Sequence, residues 1–132
     1  MNLVKDISID IAQKKIFVGH PIHGVISINY SGRYDTIVIN SQIENSNDIF
    51  NYTSLNGKEI NYTYARLSIF RSEIADDDIK SLDFTAVTKH IPTGDSSNAK
   101  FRVAIVQEHK EIASDVVHIK IAKQISGESN QI

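Results

Sequence analysis

The histidines carry the most versatile chemistry in this sequence, because an imidazole serves as a metal ligand, an acid or a base. His20 and His23 enclose Pro21 with a spacing of three, and His90, His109 and His118 complete the set. Residues three apart on a strand point to opposite faces, so His20 and His23 do not readily converge on one metal ion. We predict that this pair lies at the surface beside a turn, where it contacts a protein partner.

The acidic run Asp76 to Asp78 is the second candidate, since carboxylate oxygens are the ligands that calcium prefers. Calcium takes about 6 to 8 oxygens, usually from a loop of alternating acids with a glycine, and these three acids are consecutive. Asp95 contributes only if two separate loops meet. The pattern therefore favours a solvated acidic turn over a calcium site, and we predict no metal and no other cofactor.

Catalytic chemistry has little support in the sequence. The chain contains no Gly-x-Ser-x-Gly elbow, no Gly-x-x-x-x-Gly-Lys loop, no His-Glu-x-x-His motif and no cysteine. Glu73, Asp76, Glu108 and Glu111 are the acids from which a glycosidase pair would be drawn, but no tryptophan is present to line a sugar site. The sequence predicts a protein that is not an enzyme.

Three tyrosines flank a predicted hairpin turn: Tyr52, Tyr62 and Tyr64. Exposed aromatic side chains on a hairpin are a usual place for interface hot spots. We predict Tyr52 and Tyr62 as partner-binding residues, together with His20 and His23. For Tyr52 the pattern leaves core and surface positions equally open, whereas it favours a core position for Tyr64.

Asn29, Asn51 and Asn61 each begin an Asn-x-Ser/Thr glycosylation pattern. The pattern matters only in an exported protein, and the chain is rich in the residues that produce it by chance. We therefore expect these sites to be coincidental, and keep an exported, glycosylated domain as the alternative.

Composition excludes several function classes. The chain has 132 residues, a formal net charge of -2 and basic residues that are scattered along the sequence, so we predict no nucleic-acid partner. No run approaches the roughly 20 apolar residues of a membrane span, so we predict no insertion into a membrane. The absence of cysteine leans towards a cytoplasmic location.

Alternation of apolar and polar residues is the main structural signal, and it is typical of strands with one buried face. Segments with this alternation are 7–11, 22–30, 34–44, 49–55, 58–64, 82–86, 101–105 and 117–121. Helical periodicity does not persist, and turn residues recur at short intervals. We predict an all-β fold, namely a single immunoglobulin-like antiparallel β-sandwich of seven to nine strands over 1–125, with a frayed polar tail over 126–132.

Asn56-Gly57 is the sharpest turn signal, because this dipeptide tolerates the positive φ angles of a type I′ hairpin turn. A regular hairpin pairs Leu55 with Lys58, Thr53 with Ile60, and Asn51 with Tyr62. The second arm is expected to continue as far as Phe70.

The apolar positions of the alternating segments predict the core. The residues expected to be buried are Ile9, Ile26, Ile28, Ile37, Ile39, Phe84, Phe101, Val103, Ile119 and Ile121.

The first third of the chain resembles arrestin-like proteins, including the retromer subunit of the Vps26 type. The resemblance lies in Phe17-Val18-Gly19, a short spacer, Gly24 and the alternating strand to Ile28, followed by 35–39. The family usually has proline before the first glycine and an acid after it, where this chain has Val18 and His20. The resemblance implies an arrestin-N-like sandwich that docks other proteins.

We therefore expect a non-enzymatic adaptor or scaffold domain that binds a protein partner through a strand edge or a loop end. A homo-oligomer is left open. The alternatives are an exported cell-surface or adhesive domain, glycosylated or calcium-binding, and a sandwich that binds a small ligand or sugar.

Overall fold

The computed structural model describes residues 5–74 and 81–123, which form ten strands in two five-stranded sheets. In chain order the strands are β1 (Ile7–Ile11), β2 (Lys15–Phe17), β3 (Ile22–Ile28), β4 (Thr36–Ile43), β5 (Asn51–Leu55), β6 (Lys58–Tyr62), β7 (Arg66–Phe70), β8 (Ser81–Val87), β9 (Ser96–Gln107) and β10 (Lys110–Ala122). One 3₁₀ turn, Arg71–Glu73, follows β7. The predicted all-β sandwich is confirmed.

Sheet A has the order β1-β3-β8-β5-β6, and sheet B has the order β2-β10-β9-β4-β7. Sheet A is antiparallel throughout, but β2 runs parallel to β10 in sheet B. The expectation of seven to nine antiparallel strands was therefore too low in number and wrong about this pairing. A three-residue strand such as β2 carries too little alternation to be recognised before its neighbour is known.

The core lies between the inner faces of the two sheets, where apolar side chains alternate with outward polar ones. All ten predicted core residues are buried. At the centre four aromatic rings meet: Phe50 and Phe101 lie 4.8 Å apart between ring centroids, and Phe84 lies 5.8 Å from Tyr52 and 5.9 Å from Phe101. Contacts of this length are favourable for offset or edge-to-face rings, so the cluster ties the two sheets together.

The predicted hairpin is confirmed at its turn, where Asn56 and Gly57 have φ angles of 50° and 81°. Leu55 pairs with Lys58 as expected, but Tyr52 rather than Asn51 pairs with Tyr62. The predicted Thr53–Ile60 and Asn51–Tyr62 pairs are wrong because a bulge shifts the register on both sides of β5.

Hydroxyl groups stabilise this bulge. Thr53 Oγ1 and Ser54 Oγ lie 2.6 and 2.7 Å from Thr85 Oγ1 on β8, so two consecutive residues of β5 share one partner. A bulge of this kind places two residues opposite one and bends the strand.

The second hairpin arm does not continue to Phe70. It ends at Tyr62, and residues 63–65 carry the chain from sheet A to sheet B, where β7 pairs with β4. The alternation changes phase at this crossing, since Ile60, Tyr62 and Tyr64 fall on even positions whereas Leu67 and Ile69 fall on odd ones. The change of sheet therefore has a mark in the periodicity.

The two glycines of the first turn have different roles. Gly19 has a φ of 85° and lies in open space, so it serves the turn. Gly24 lies inside β3 opposite Phe84, and a Cβ at this position would lie 2.3 Å from a Phe84 ring atom. The ring occupies the space that a side chain would need.

We predict that Gly24→Ala destabilises the fold by about 1 to 3 kcal/mol, because the added methyl forces a buried ring to move. Urea unfolding of this variant and of Gly94→Ala, where nothing lies within 4 Å, provides the measurement and its control. Equal stability of the two variants would show that the Phe84 ring moves freely.

Candidate interaction surface

His20 and His23 are both exposed, as predicted, but they do not form one surface. His20 follows β2, and its ring stands edge-on to Phe17 at a centroid distance of 5.9 Å. His23 lies on the outer face of β3 in sheet A, opposite Thr85. Their role in partner binding stays a prediction.

Tyr52 is fully buried, with 0% of its surface exposed, and its ring packs between Phe84 and Phe101. The prediction that it contacts a partner is therefore wrong, because its inward position on β5 places it in the core. Burial raises the pKa of the phenol, and the adjacent Ser41 hydroxyl opposes this effect only in part. Neither hydroxyl reaches hydrogen-bond geometry with a partner in the described chain.

The rings of Tyr62 and Tyr64 are in contact, with centroids 4.9 Å apart and planes tilted by 52°. Tyr62 is half-buried against the core, whereas Tyr64 is 64% exposed. The expectation that Tyr64 lies in the core is wrong, since the strand ends at Tyr62 and the alternation of faces ends with it.

The candidate acids do not assemble into a site. Asp76 to Asp78 lie outside the described residues. Glu73 accepts a hydrogen bond from the Phe70 amide, and Glu111 forms a bidentate ion pair with Arg102. Over residues 5–74 and 81–123, no three histidine, aspartate or glutamate side chains are grouped to hold a metal ion.

One long side of the sandwich is closed by Asp115 of β10. Its carboxylate accepts a 3.0 Å hydrogen bond from the Ile9 amide on the edge strand β1 and a 2.7 Å bond from Lys5 Nζ. Partial burial raises the pKa of Asp115, but these bonds outweigh it and lower the pKa overall. Lys14 Nζ also donates to the Ile11 carbonyl, so two outward main-chain groups of β1, the Ile9 amide and the Ile11 carbonyl, are already bonded.

The opposite long side has no such closure in the described part of the chain. Here β6 and β7 are the edge strands of the two sheets, and no hydrogen bond joins them among the residues that the structure describes. The bulge disturbs the hairpin to which β6 belongs, whereas β7 pairs with β4 without a register shift. Sheet B therefore presents the more regular edge.

On β7, the main-chain amide and carbonyl groups of alternate residues are free to bond an added strand. Ser41 N donates to Ala65 O at 2.9 Å, and Arg71 N donates to Asp35 O at 2.8 Å. Because alternate residues of an edge strand bond to its neighbour, the main-chain groups of Leu67 and Ile69 also bond to β4. The main-chain groups of Arg66 and Ser68 therefore point away from the sheet. Two exposed aromatic residues bracket this edge, Tyr64 at one end and Phe70, 54% exposed, at the other.

A polar cluster that the sequence did not suggest joins two loops at one end of the sandwich. His90 has a side chain only 7% exposed, with Nδ1 lying 2.7 Å from Asp48 Oδ2 and Nε2 lying 2.8 Å from Ser97 Oγ. The order Asp-His-Ser matches a hydrolase triad, but the buried imidazole is held as a clasp between 44–50 and 88–95. No local motif links residues 42 apart in the chain.

The hydrogen bond with His90, assisted by Ser46, lowers the pKa of Asp48. This carboxyl group is the exposed end of the clasp.

No protein family matches the chain, and no curated protein matches it. Solved structures do: a mutant of the CFA/I adhesin CfaE of enterotoxigenic E. coli superposes with a TM-score of 0.58 at 11% identity, covering 91% of this chain and 49% of the adhesin. The chain thus spans about half the length of that adhesin.

Two smaller neighbours match over most of both chains. The bacterial hydrophobin BslA gives a TM-score of 0.54 at 14% identity, covering 89% of this chain and 99% of its own. The Reelin-N domain of F-spondin gives 0.53 at 10% identity, covering 94% and 91%. Identities this low show a shared β-sandwich fold and nothing about function.

We predict that Tyr52→Phe leaves stability unchanged or raises it by up to about 1 to 2 kcal/mol, because it removes a buried hydroxyl without a partner. Tyr52→Ala should cost about 3 to 5 kcal/mol, as expected for a ring lost from the core. Urea unfolding separates the two variants, and a marked loss of stability in Tyr52→Phe would contradict the burial argument.

We also predict that the clasp weakens in acid. The lowered pKa of Asp48 means that its contribution is present above the unfolded pKa of about 4 and is lost as the pH falls through the folded pKa. The stability difference between the wild type and Asp48→Asn should therefore be present near neutral pH and disappear in acid. Unfolding curves across this range test it, with Asp95→Asn as the exposed-acid control.

Proposed function

We propose that this chain is a non-enzymatic protein-binding domain that accepts an extended segment of a partner along β7. The observation that carries the proposal is the regular open edge of β7, bracketed by Tyr64 and Phe70. The proposed binding requires no metal, nucleotide or covalent chemistry.

The main chain supports the affinity of such a contact. An added strand bonds to the outward amide and carbonyl groups of Arg66 and Ser68, as peptides do when they extend an exposed sheet edge. The edge of β1 is a less complete site, because Asp115 and Lys14 already bond the Ile9 amide and the Ile11 carbonyl.

Side chains support its selectivity. Aromatic residues dominate interface hot spots, and Tyr64 and Phe70 stand at both ends of the edge. Their separation is set by β7, so a bound segment meets both rings only in one register.

The finer role that we propose is that of an adaptor or scaffold in the cytoplasm. Its support is the arrestin-like arrangement of 16–28, which remains a resemblance in one third of the chain. An exported adhesive domain remains the competing proposal. Occupied glycans at Asn29 or Asn61, both exposed, would favour export over the adaptor. No helix among the described residues is long and apolar enough to cross a membrane.

We predict that Ser68→Pro abolishes the binding of extended peptides while preserving the fold. The Ser68 amide points away from β4, so proline removes an outward donor without breaking a sheet bond. Peptides are first selected against the wild type from a displayed random library. Their dissociation constants are then compared between the wild type, Ser68→Pro and Ser68→Ala.

Ser68→Ala is the matched control, because it keeps the amide, and it should bind as the wild type does. Phe70→Ala and Tyr64→Ala should each weaken binding about tenfold or more, as hot-spot residues do. Selected peptides that bind Ser68→Pro as tightly as the wild type would place the site elsewhere.

A further inference from the structure

The two outer faces of the sandwich carry opposite charge, although the whole chain is nearly neutral. On the outer face of sheet B the charged strand residues are Lys15, Arg66, Lys100, Arg102 and Lys120, with Glu111 as the acid. On the outer face of sheet A they are Asp10, Glu59 and Asp83, all acids. We call these the basic face and the acidic face.

Strand geometry places these residues outward. On β9, Ala99, Phe101 and Val103 are buried in the core, so Lys100 and Arg102 point to the other side. On β8, Leu82 and Phe84 are buried, so Asp83 likewise points outward.

Most of these charges have no counter-ion within the described chain. On the basic face only Arg102 is paired, with Glu111, which leaves four cations unneutralised: Lys15, Arg66, Lys100 and Lys120. On the acidic face Asp10 pairs with Lys14, and Asp83 and Glu59 stand alone. Unpaired charges of opposite sign on two faces attract a complementary surface and suppress a like-charged one.

The two faces also match in spacing. Glu59 on β6 and Asp83 on β8 lie two strands apart and two residues out of register. Lys100 on β9 and Arg66 on β7 have the same offset, so both pairs of unpaired charges are roughly 12 Å apart at ordinary strand spacing. A second copy laid on the basic face can therefore meet charge with charge.

We propose that copies of this chain associate face to face, with the acidic face of one against the basic face of the next. The contact is heterologous, so it repeats in an open stack instead of closing as a dimer. Five strands at about 4.8 Å and about five residues at about 3.3 Å give each face roughly 400 Å². The area buried by two such faces is at the low end of the range for protein interfaces, so the association is expected to be weak and transient.

Sedimentation of the wild type tests this proposal. At a protein concentration of about 1 mM and about 20 mM salt, the mean mass should exceed that of the monomer. It should return to the monomer value near 500 mM salt, because exposed charges are screened there. A wild type that stays monomeric at low salt overturns the proposal.

Two charge reversals identify the faces. Lys100→Glu with Lys120→Glu cancels the net charge of the basic face, and Glu59→Lys with Asp83→Lys gives the acidic face a net positive charge. Each variant alone should be monomeric, whereas an equal mixture should form pairs, because the acidic face of the first variant and the basic face of the second are unaltered. A mixture that remains monomeric contradicts the arrangement.

Lys58→Glu with Lys89→Glu is the matched control, since it changes the net charge equally but lies outside the basic face. It should associate within about twofold of the wild type, and a loss equal to that of the basic-face variant would show that only net charge matters. Melting curves of all variants confirm that each is folded. The proposed binding at β7 is measured separately with peptides, so either inference can fail without the other.

Discussion

The contact between the Phe84 ring and Gly24 is the constraint on which the rest of the structure depends. Phe84 reaches across to Phe101 and Tyr52 only because the neighbouring strand has no side chain at that point. The four-ring cluster then joins β8 and β5 of one sheet to β9 of the other. Since protein cores are close-packed, this contact helps to set the separation of the two sheets.

A two-sheet sandwich has four edge strands, and the two long sides of this sandwich differ in how their edges are bonded. Asp115 connects β10 to the edge of β1, so one side is closed by hydrogen bonds between the sheets. The short crossing at 63–65 forms the other side, and a three-residue link supplies no groups to cover β6 and β7. The short connection therefore leaves β6 and β7 without a hydrogen bond between them in the described chain, and the proposed binding lies on this side.

Alternation was sufficient to predict the inner faces, because which side a strand residue occupies depends only on its neighbours in sequence. It could not predict the bulge at Thr53 or the parallel pairing of β2, since both depend on residues distant in the chain. The end of β6 has only a change of phase between Tyr64 and Leu67 as its mark. The tyrosines show the consequence: Tyr52 and Tyr64 exchanged their expected places, because a strand end and a register shift intervene between them. The sequence also did not predict the clasp at His90, because Asp48 and His90 are far apart in the chain.

Charge shows the limit of composition most clearly. Lysines and arginines that are scattered along the sequence converge on one face, because Lys100 and Arg102 are two apart on β9 and Lys120 and Lys15 are cross-strand neighbours. Long-range attraction of this kind contributes more to orientation and specificity than to affinity. Main-chain bonding at β7 would contribute affinity instead. Because an added strand lies beside Arg66 and not over Lys100 or Lys120, the basic face and the β7 edge can be occupied at the same time.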